Sequence, residues 1–362
     1  MNDLRRTLER EMERIPPPDY PIASVERRRR RRRRSQRFGT IVTALVIAAL
    51  GIGFIARAMP GGGPQPADGT PGRLVFVAPG GGAASDRLFT SAPDGSGRER
   101  VADVHAEYPD WAPDGTAIAF GSGQNLNGSP IPRPNGHIVI VRADGSDLRE
   151  VPFNGAASAP SWSPDGSRLA VAARRGETHP GIGWLDPATG ALTWLTRNPF
   201  AGFWDAEPDV SPDGSRIVFV RVRELQELGG TRNLAALFVV GADGTGLRRL
   251  TSWATDAGTP AWSPDGTRIA FDSADHAVGS AGGRETRIEL IRADGSNRVV
   301  LDQPAYSAAY WPTWSPDGSR LVFTGLPVEG GPVELASVSA IGDAAASLPI
   351  RVDGNQADWG RR

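Results

Sequence analysis

Aspartate recurs in this chain at a spacing that could assemble a cation site. Asp114, Asp165, Asp213, Asp265 and Asp317 stand 51, 48, 52 and 52 positions apart, and carboxylate oxygens are the ligands that calcium takes. Their neighbours assign them another chemistry. Each sits in Ser-Pro-Asp-Gly or Ala-Pro-Asp-Gly, where Pro pre-sets φ, Asp accepts the next position and Gly takes the positive φ that closes a turn. The carboxylates serve turns, and their number follows the number of repeats. The four histidines, His105, His137, His179 and His276, are scattered along the chain. Convergence of His105, His179 and His276 would make a metal site, but their spacing gives no reason to expect it, and neither metal nor cofactor is assigned. No Gly-x-Ser-x-Gly elbow and no His-Glu-x-x-His occur. The chain has no Cys, which excludes disulfide and thiol chemistry. What remains for chemistry is a set of aromatic and acidic residues between the repeats: Tyr108, Phe203, Trp204, Asp205, Glu207, Trp253, Tyr310 and Trp311. Rings with a few acceptors suit a protein, a peptide or a polysaccharide.

The elements that must position them follow from the same repeats. The full phrases begin at Trp111, Trp162, Val210, Trp262 and Trp314 and run through the turn into strands such as Arg268-Ile-Ala-Phe271. Each unit also holds a second hairpin, at Asp94-Gly95, Asp144-Gly145, Thr189-Gly190, Asp243-Gly244 and Asp294-Gly295. A period near 50 residues holds one four-stranded antiparallel sheet, the blade of a propeller. Arg73-Leu-Val-Phe76 matches a second strand that has no first strand before it, and Gln356-Ala-Asp-Trp359 is a first strand with nothing after it. Pairing these two closes six blades and removes the exposed edges.

The Trp-Ser-Pro-Asp-Gly phrases resemble the WD-like repeats of TolB-type six-bladed propellers, over roughly residues 73–362. The resemblance implies an all-β six-bladed β-propeller and leaves function open, since such propellers serve as binding platforms, peptidase gates and sensor ectodomains. The α/β domain that precedes the propeller in TolB has no counterpart in the sequence, so a role in the Tol machinery is not implied. Val210 in place of Trp is read as packing drift. With 45 Gly and 31 Pro in 362 residues, the composition agrees with an all-β repeat protein.

Short turns occupy one propeller face, so specific contacts are expected on the other, where the longer loops lie. The residues just before the recurring Pro, namely Tyr108, Ala159, Glu207, Thr259 and Trp311, with Gln356 in the last unit, are expected at the channel mouth. The competing reading of the loop aromatics is that they plug gaps between blades.

Charge divides the chain. Residues 1–59 carry 14 Arg against 6 acids, leaving 26 Arg against 35 acids beyond them. Residues 1–37 read as a basic cytoplasmic tail, within which 3–15 form a short amphipathic helix with Leu4, Leu8, Met12 and Ile15 on one stripe. That helix either docks a cytoplasmic partner or is a tail without one. Arg27 to Arg34 directly precede a charge-free stretch from Phe38 to Ala56, long enough to span a bilayer. The segment 38–59 is therefore assigned as a transmembrane helix with the N-terminus cytoplasmic and the propeller extracytoplasmic. A cleaved signal peptide with Ala56-Arg57-Ala58 at its end is the competitor. The position of the Arg run beside the span accounts for it without nucleic acid. Residues 60–72 are a Gly/Pro linker.

The function expected from these features is a single-pass, membrane-anchored bacterial propeller acting as a non-enzymatic binding or sensor platform for a cell-envelope protein or ligand. The alternative is a propeller hydrolase or lactonase with a metal in its central channel.

Overall fold

The computed structural model describes residues 72–79, 86–123, 136–176, 180–197, 202–227, 230–274, 286–340 and 348–360. They fall in the second of two compact units, Gly62–Arg362. The tail, the 38–59 segment, His179 and His276 lie outside the described residues. Among those described, no helix is long and apolar enough to cross a membrane.

Each repeat becomes a four-stranded antiparallel sheet. The first blade holds β1 (Leu74–Pro79), β2 (Asp86–Ser91) and β3 (Glu99–Ala102). The second holds β4 (Glu107–Trp111), β5 (Ala117–Ser122), β6 (His137–Arg142) and β7 (Arg149–Glu150). The third holds β8 (Ala156–Trp162), β9 (Leu169–Arg174), β10 (Gly181–Leu185) and β11 (Leu192–Trp194). The fourth holds β12 (Phe203–Val210), β13 (Arg216–Glu227), β14 (Gly230–Gly241) and β15 (Arg248–Arg249). The fifth holds β16 (Ala257–Trp262), β17 (Arg268–Ser273), β18 (Arg287–Arg292) and β19 (Val299–Val300), and the sixth β20 (Tyr306–Trp314), β21 (Arg320–Pro327), β22 (Glu334–Ser339) and β23 (Leu348–Asp353). The last strand, β24 (Asn355–Trp359), joins the first blade beside β1, with Leu74 opposite Trp359. The closure expected from the split phrase is thus present, and six blades result.

The phrase packs as its alternation dictates. Phe76, Phe120, Phe219, Phe271 and Phe323 are fully buried, each in a cluster shared by two neighbouring blades. A buried ring of this size is worth about 1.5–3 kcal/mol relative to its exposed state, so the blade interfaces are the core. The two kinds of turn lie together, because Ala143 N donates to Thr116 O, Ala242 N to Ser215 O and Ala293 N to Thr267 O. In each Pro-Asp-Gly turn the carboxylate caps its own loop. Asp165 Oδ1 accepts from Ser163 Oγ at 2.6 Å, Ser167 N at 3.0 Å and Ser167 Oγ at 2.8 Å. No cation is needed to explain these aspartates.

Candidate functional site at the channel mouth

Every first strand carries the same defect just before its Trp, or before Val210 in the fourth blade. Pairing with the second strand skips two residues between Glu107 and Asp110, Ser158 and Ser161, Ala206 and Asp209, Gly258 and Ala261, Tyr310 and Thr313, and Asn355 and Asp358. The first skipped residue has positive φ in all six blades: Tyr108 51°, Ala159 47°, Glu207 52°, Thr259 33°, Trp311 51° and Gln356 48°. None is glycine, and the left-handed region costs a residue with a Cβ on the order of 1–2 kcal/mol. A bulge of this kind re-aims a side chain. These six residues, with the five prolines and Ala357 that follow them, ring one end of the central channel, a concavity of about 600 Å³.

The N–H groups freed by the bulges are caught by side chains from adjacent blades. Gln356 Oε1 accepts from Tyr108 N at 2.9 Å, Glu207 Oε2 from Thr259 N at 3.0 Å, and Thr324 Oγ1 from Gln356 N at 3.2 Å. The Asp272 carboxylate takes the Trp311 N–H and the Thr259 hydroxyl. Glu207 also faces the Tyr108 hydroxyl at 3.4 Å. Burial pushes the Glu207 carboxyl up from its ordinary value. Asp272 is pushed up to about 8, chiefly by burial and then by the neighbouring Glu207 charge. The same surroundings raise the Tyr108 hydroxyl.

One layer deeper stands a ring that the sequence reading did not single out. Asp110 Oδ2 accepts from Trp162 N at 2.7 Å, Asp209 Oδ2 from Trp262 N at 2.6 Å, and Asp358 Oδ2 from Trp111 N at 2.9 Å. Ser161 Oγ accepts from Val210 N at 3.1 Å, and Thr313 Oγ1 donates to Asp358 Oδ1 at 3.1 Å. Each bond joins one blade to the next around the channel. Burial raises Asp209 to about 7 against the bonds from Trp262 N and Ser161, and the Asp358 charge adds to the rise. The signal was in the sequence: the residue before each Trp, or Val210, is Asp, Ser or Thr in five of six units, where a buried strand would otherwise be apolar. Among the described residues no base lines either end of the channel. Among the described residues no group of three or more His, Asp or Glu could hold a metal. His105 takes the Gly123 N–H at 3.4 Å on Nδ1 and lies 3.5 Å from Glu107.

The structure gathers the expected site residues into four places. Tyr108, Glu207 and Trp311 ring the mouth, with Tyr310 against Trp311 at 5.7 Å between ring centroids. Phe203 and Trp253 pair edge to face at 6.2 Å, on the flank of the fourth blade. Trp204 lines a separate concavity with Gly136, Ala157, Ala173 and Pro180. Asp205 is fully buried, held by Arg221 Nε at 2.6 Å and Nη2 at 2.8 Å, with the Thr196 hydroxyl at 2.6 Å. Its oxygens are engaged inside the blade.

No protein-family model matches the chain. An uncharacterized protein of Agrobacterium fabrum is 31% identical over 172 residues, covering 46% of this chain and 55% of its own length. The Tol-Pal system protein TolB of Xanthomonas campestris is 34% identical over 125 residues, 34% of this chain and 26% of TolB. The chain thus spans about half the length of the first relative and a quarter of the second. The crystal structure of TolB from Acinetobacter baumannii superposes with a TM-score of 0.59 at 20% identity, covering 80% of this chain and 66% of that one. The chain is a TolB-like six-bladed β-propeller.

Proposed function

We propose that the chain is a non-enzymatic binding platform of the bacterial cell envelope, anchored by residues 38–59, with its propeller outside the cytoplasm and its partner on the mouth face. The observation that carries this reading is the division of labour at the mouth. The channel carboxylates Asp110, Asp209, Asp272 and Asp358 hold N–H groups of adjacent blades, as described above, whereas the rings of Tyr108, Tyr310 and Trp311 remain half-exposed. Groups engaged in fastening a fold are poor candidates for turnover, and rigid half-exposed rings are what interfaces use as anchors. The similar TolB chains are proteins of the Tol-Pal system, which supports a role in an assembly. The partner is an envelope protein or a polysaccharide or peptide ligand, and a sensor role would run from this face to the tail at residues 3–15.

Photo-crosslinking of the full chain in its own cells tests the reading. A crosslinker at position 311 should capture a partner and one at position 166, on the turn face, should not. Trp311→Ala should weaken that partner's binding by about 2 kcal/mol, roughly thirtyfold, with the melting curve retained. Capture from 166 alone moves the site to the turn face, and recovery of a soluble form beginning near Met59 removes the anchor.

A further inference from the structure

The fourth blade differs from the others in height. β13 and β14 pair over twelve residues each, from Arg216 opposite Gly241 to Glu227 opposite Gly230, whereas the second and third strands of the second and fifth blades pair over six. The hairpin rises on the mouth side, and its outer strand is only partly covered. β15 pairs with β14 at Phe238 and Val239. Leu250 N then donates to Leu237 O, and Leu237 N to Thr251 Oγ1. There the chain leaves the edge, because Ser252 caps the 3₁₀ turn Trp253–Thr255 through its hydroxyl to Ala254 N at 3.0 Å. Among the described residues no strand pairs with the outer edge of β14 from Gly230 to Asn233. Leu237 bonds outward, and peptide groups in an antiparallel strand alternate with a period of two. The N–H and C=O of Thr231 and Asn233 therefore point out from the sheet. Both residues are exposed. An unpaired edge of this kind is a template for an added strand.

The charge on one face of this hairpin selects what could be added. Residues directly opposite share a face, so Phe203, Arg223 and Leu234 form one row across the three strands, and Leu225 and Arg232 the next. The Arg223 guanidinium lies 5.7 Å from the centroid of Phe203, and that of Arg249 lies 5.9 Å from the centroid of Trp253. Phe203 and Trp253 touch each other edge to face, so the two cations sit on one aromatic pair. Neither Arg223 nor Arg249 forms an ion pair among the described residues. Stacked guanidinium groups present their N–H edges outward in a fork that matches a carboxylate. An incoming strand along Gly230–Asn233 would lie past the end of β15, and its residues opposite Arg232 and Leu234 would stand on the sheet face that carries Arg223, Arg232 and Arg249. Beyond residue 59 acids outnumber Arg by 35 to 26, and the described residues that line the channel mouth include Glu207, Asp110, Asp209 and Asp358 and no base. An acidic segment finds no cationic partner there and has its complement here.

We infer that the outer edge of β14 at Gly230–Asn233, with Arg223 and Arg249 on the Phe203–Trp253 pair, is a docking site for an extended acidic segment of a partner protein, which adds as a fifth strand to the fourth blade. This rests on reading the mouth side as the docking side and names the chemistry of what docks.

The full chain in detergent micelles, titrated with a fluorescent twelve-residue peptide of alternating Val and Glu, tests it. The peptide should bind, and the Arg223→Ala/Arg249→Ala double variant, with its melting curve unchanged, should lower the affinity about tenfold or more. Hydrogen exchange at Thr231 and Asn233 should slow on binding. The same peptide N-methylated at alternate residues keeps its charge but cannot extend the ladder, and should lose binding by a similar factor. Equal binding of the N-methylated peptide overturns strand addition. Binding of polygalacturonate in place of the peptide, lost in the same double variant, makes the patch a saccharide site and overturns the proposal. No binding of either probe removes this site while leaving any partner captured from position 311 in place.

Discussion

Asp165 and Asp209 are the same side chain in neighbouring repeats, and they lie on opposite sides of the ordinary carboxylate. Asp165 lies in a turn open to water, where the Ser163 hydroxyl, the Ser167 N–H and the Ser167 hydroxyl hold its charged form down to about 2. Asp209 also accepts an N–H and a hydroxyl, yet burial takes it up to about 7. Hydrogen bonds favour the carboxylate at both ends. What separates the two is water: in the channel wall desolvation and a nearby like charge outweigh the bonds. The turn face is a repeated solution to a local problem, and the channel is a collective one in which each blade satisfies its neighbour.

That contrast can be broken in four ways. The largest effect should come from ending the chain at Gly354, which removes β24 and with it the Asp358 bond to Trp111 N. We expect a loss beyond about 4 kcal/mol, the range of severe defects, measured by chemical unfolding. A loss within 1 kcal/mol would mean that the ring does not need its last strand. Next, Asp209→Ala should cost about 2–3 kcal/mol by leaving the buried Trp262 N–H without its acceptor, against about 1 kcal/mol for Asp165→Ala, whose freed groups meet water. Equal costs at the two sites would erase the distinction between them.

Stability should follow pH in two opposite senses. Asp209 and Asp272 have folded values raised from 3.8 to about 7 and about 8, so their contribution is complete below pH 4 and is lost as pH rises toward 8. Asp165 is lowered from 3.8 to about 2, so its contribution is complete above pH 4 and is lost as pH falls through 2. Urea titrations across this range should show the upper slope flatten in Asp209→Asn, while Asp165→Asn leaves it unchanged. An unchanged upper slope in Asp209→Asn would assign that slope to other groups. The smallest effect should be Gly166→Ala, at a φ of +68° with nothing nearer than Pro113 Cδ at 3.9 Å, costing about 1 kcal/mol from backbone strain alone. A larger loss, read from the same unfolding curves, would reveal crowding at the turn.

The blade number and the split closure were legible because each depends on a local signal, the Pro-Asp-Gly turn, that survives in a single sequence. The mouth positions were legible for the same reason, since the recurring Pro marks the bulge that turns Tyr108 and Trp311 inward. Asp205 shows where legibility ends. It stands in an aromatic loop and reads as an acceptor for a partner, but its oxygens meet Arg221, sixteen positions on and brought opposite by the register of β12 with β13. Asp272 gave no signal at all, because Gly121, Val220 and Thr324 hold the equivalent place in other blades. Its effect on Trp311 arises only once two blades are side by side.

The join between β24 and β1 also dictates an order of events during synthesis. Leu74 and Trp359 are partners in one ladder although about 280 residues separate them, which at ordinary elongation rates is roughly 15–60 s of translation. Through that interval β1 has β2 on one side and nothing on the other, and the nascent chain carries an open edge of apolar residues, Leu74 to Ala78. Contacts between consecutive blades are local and form as each repeat emerges, whereas this single long-range pairing carries the full entropy of loop closure. Folding should therefore be fast blade by blade and slow at its last step, and a chain caught between the two is the species on which chaperones or aggregation would act.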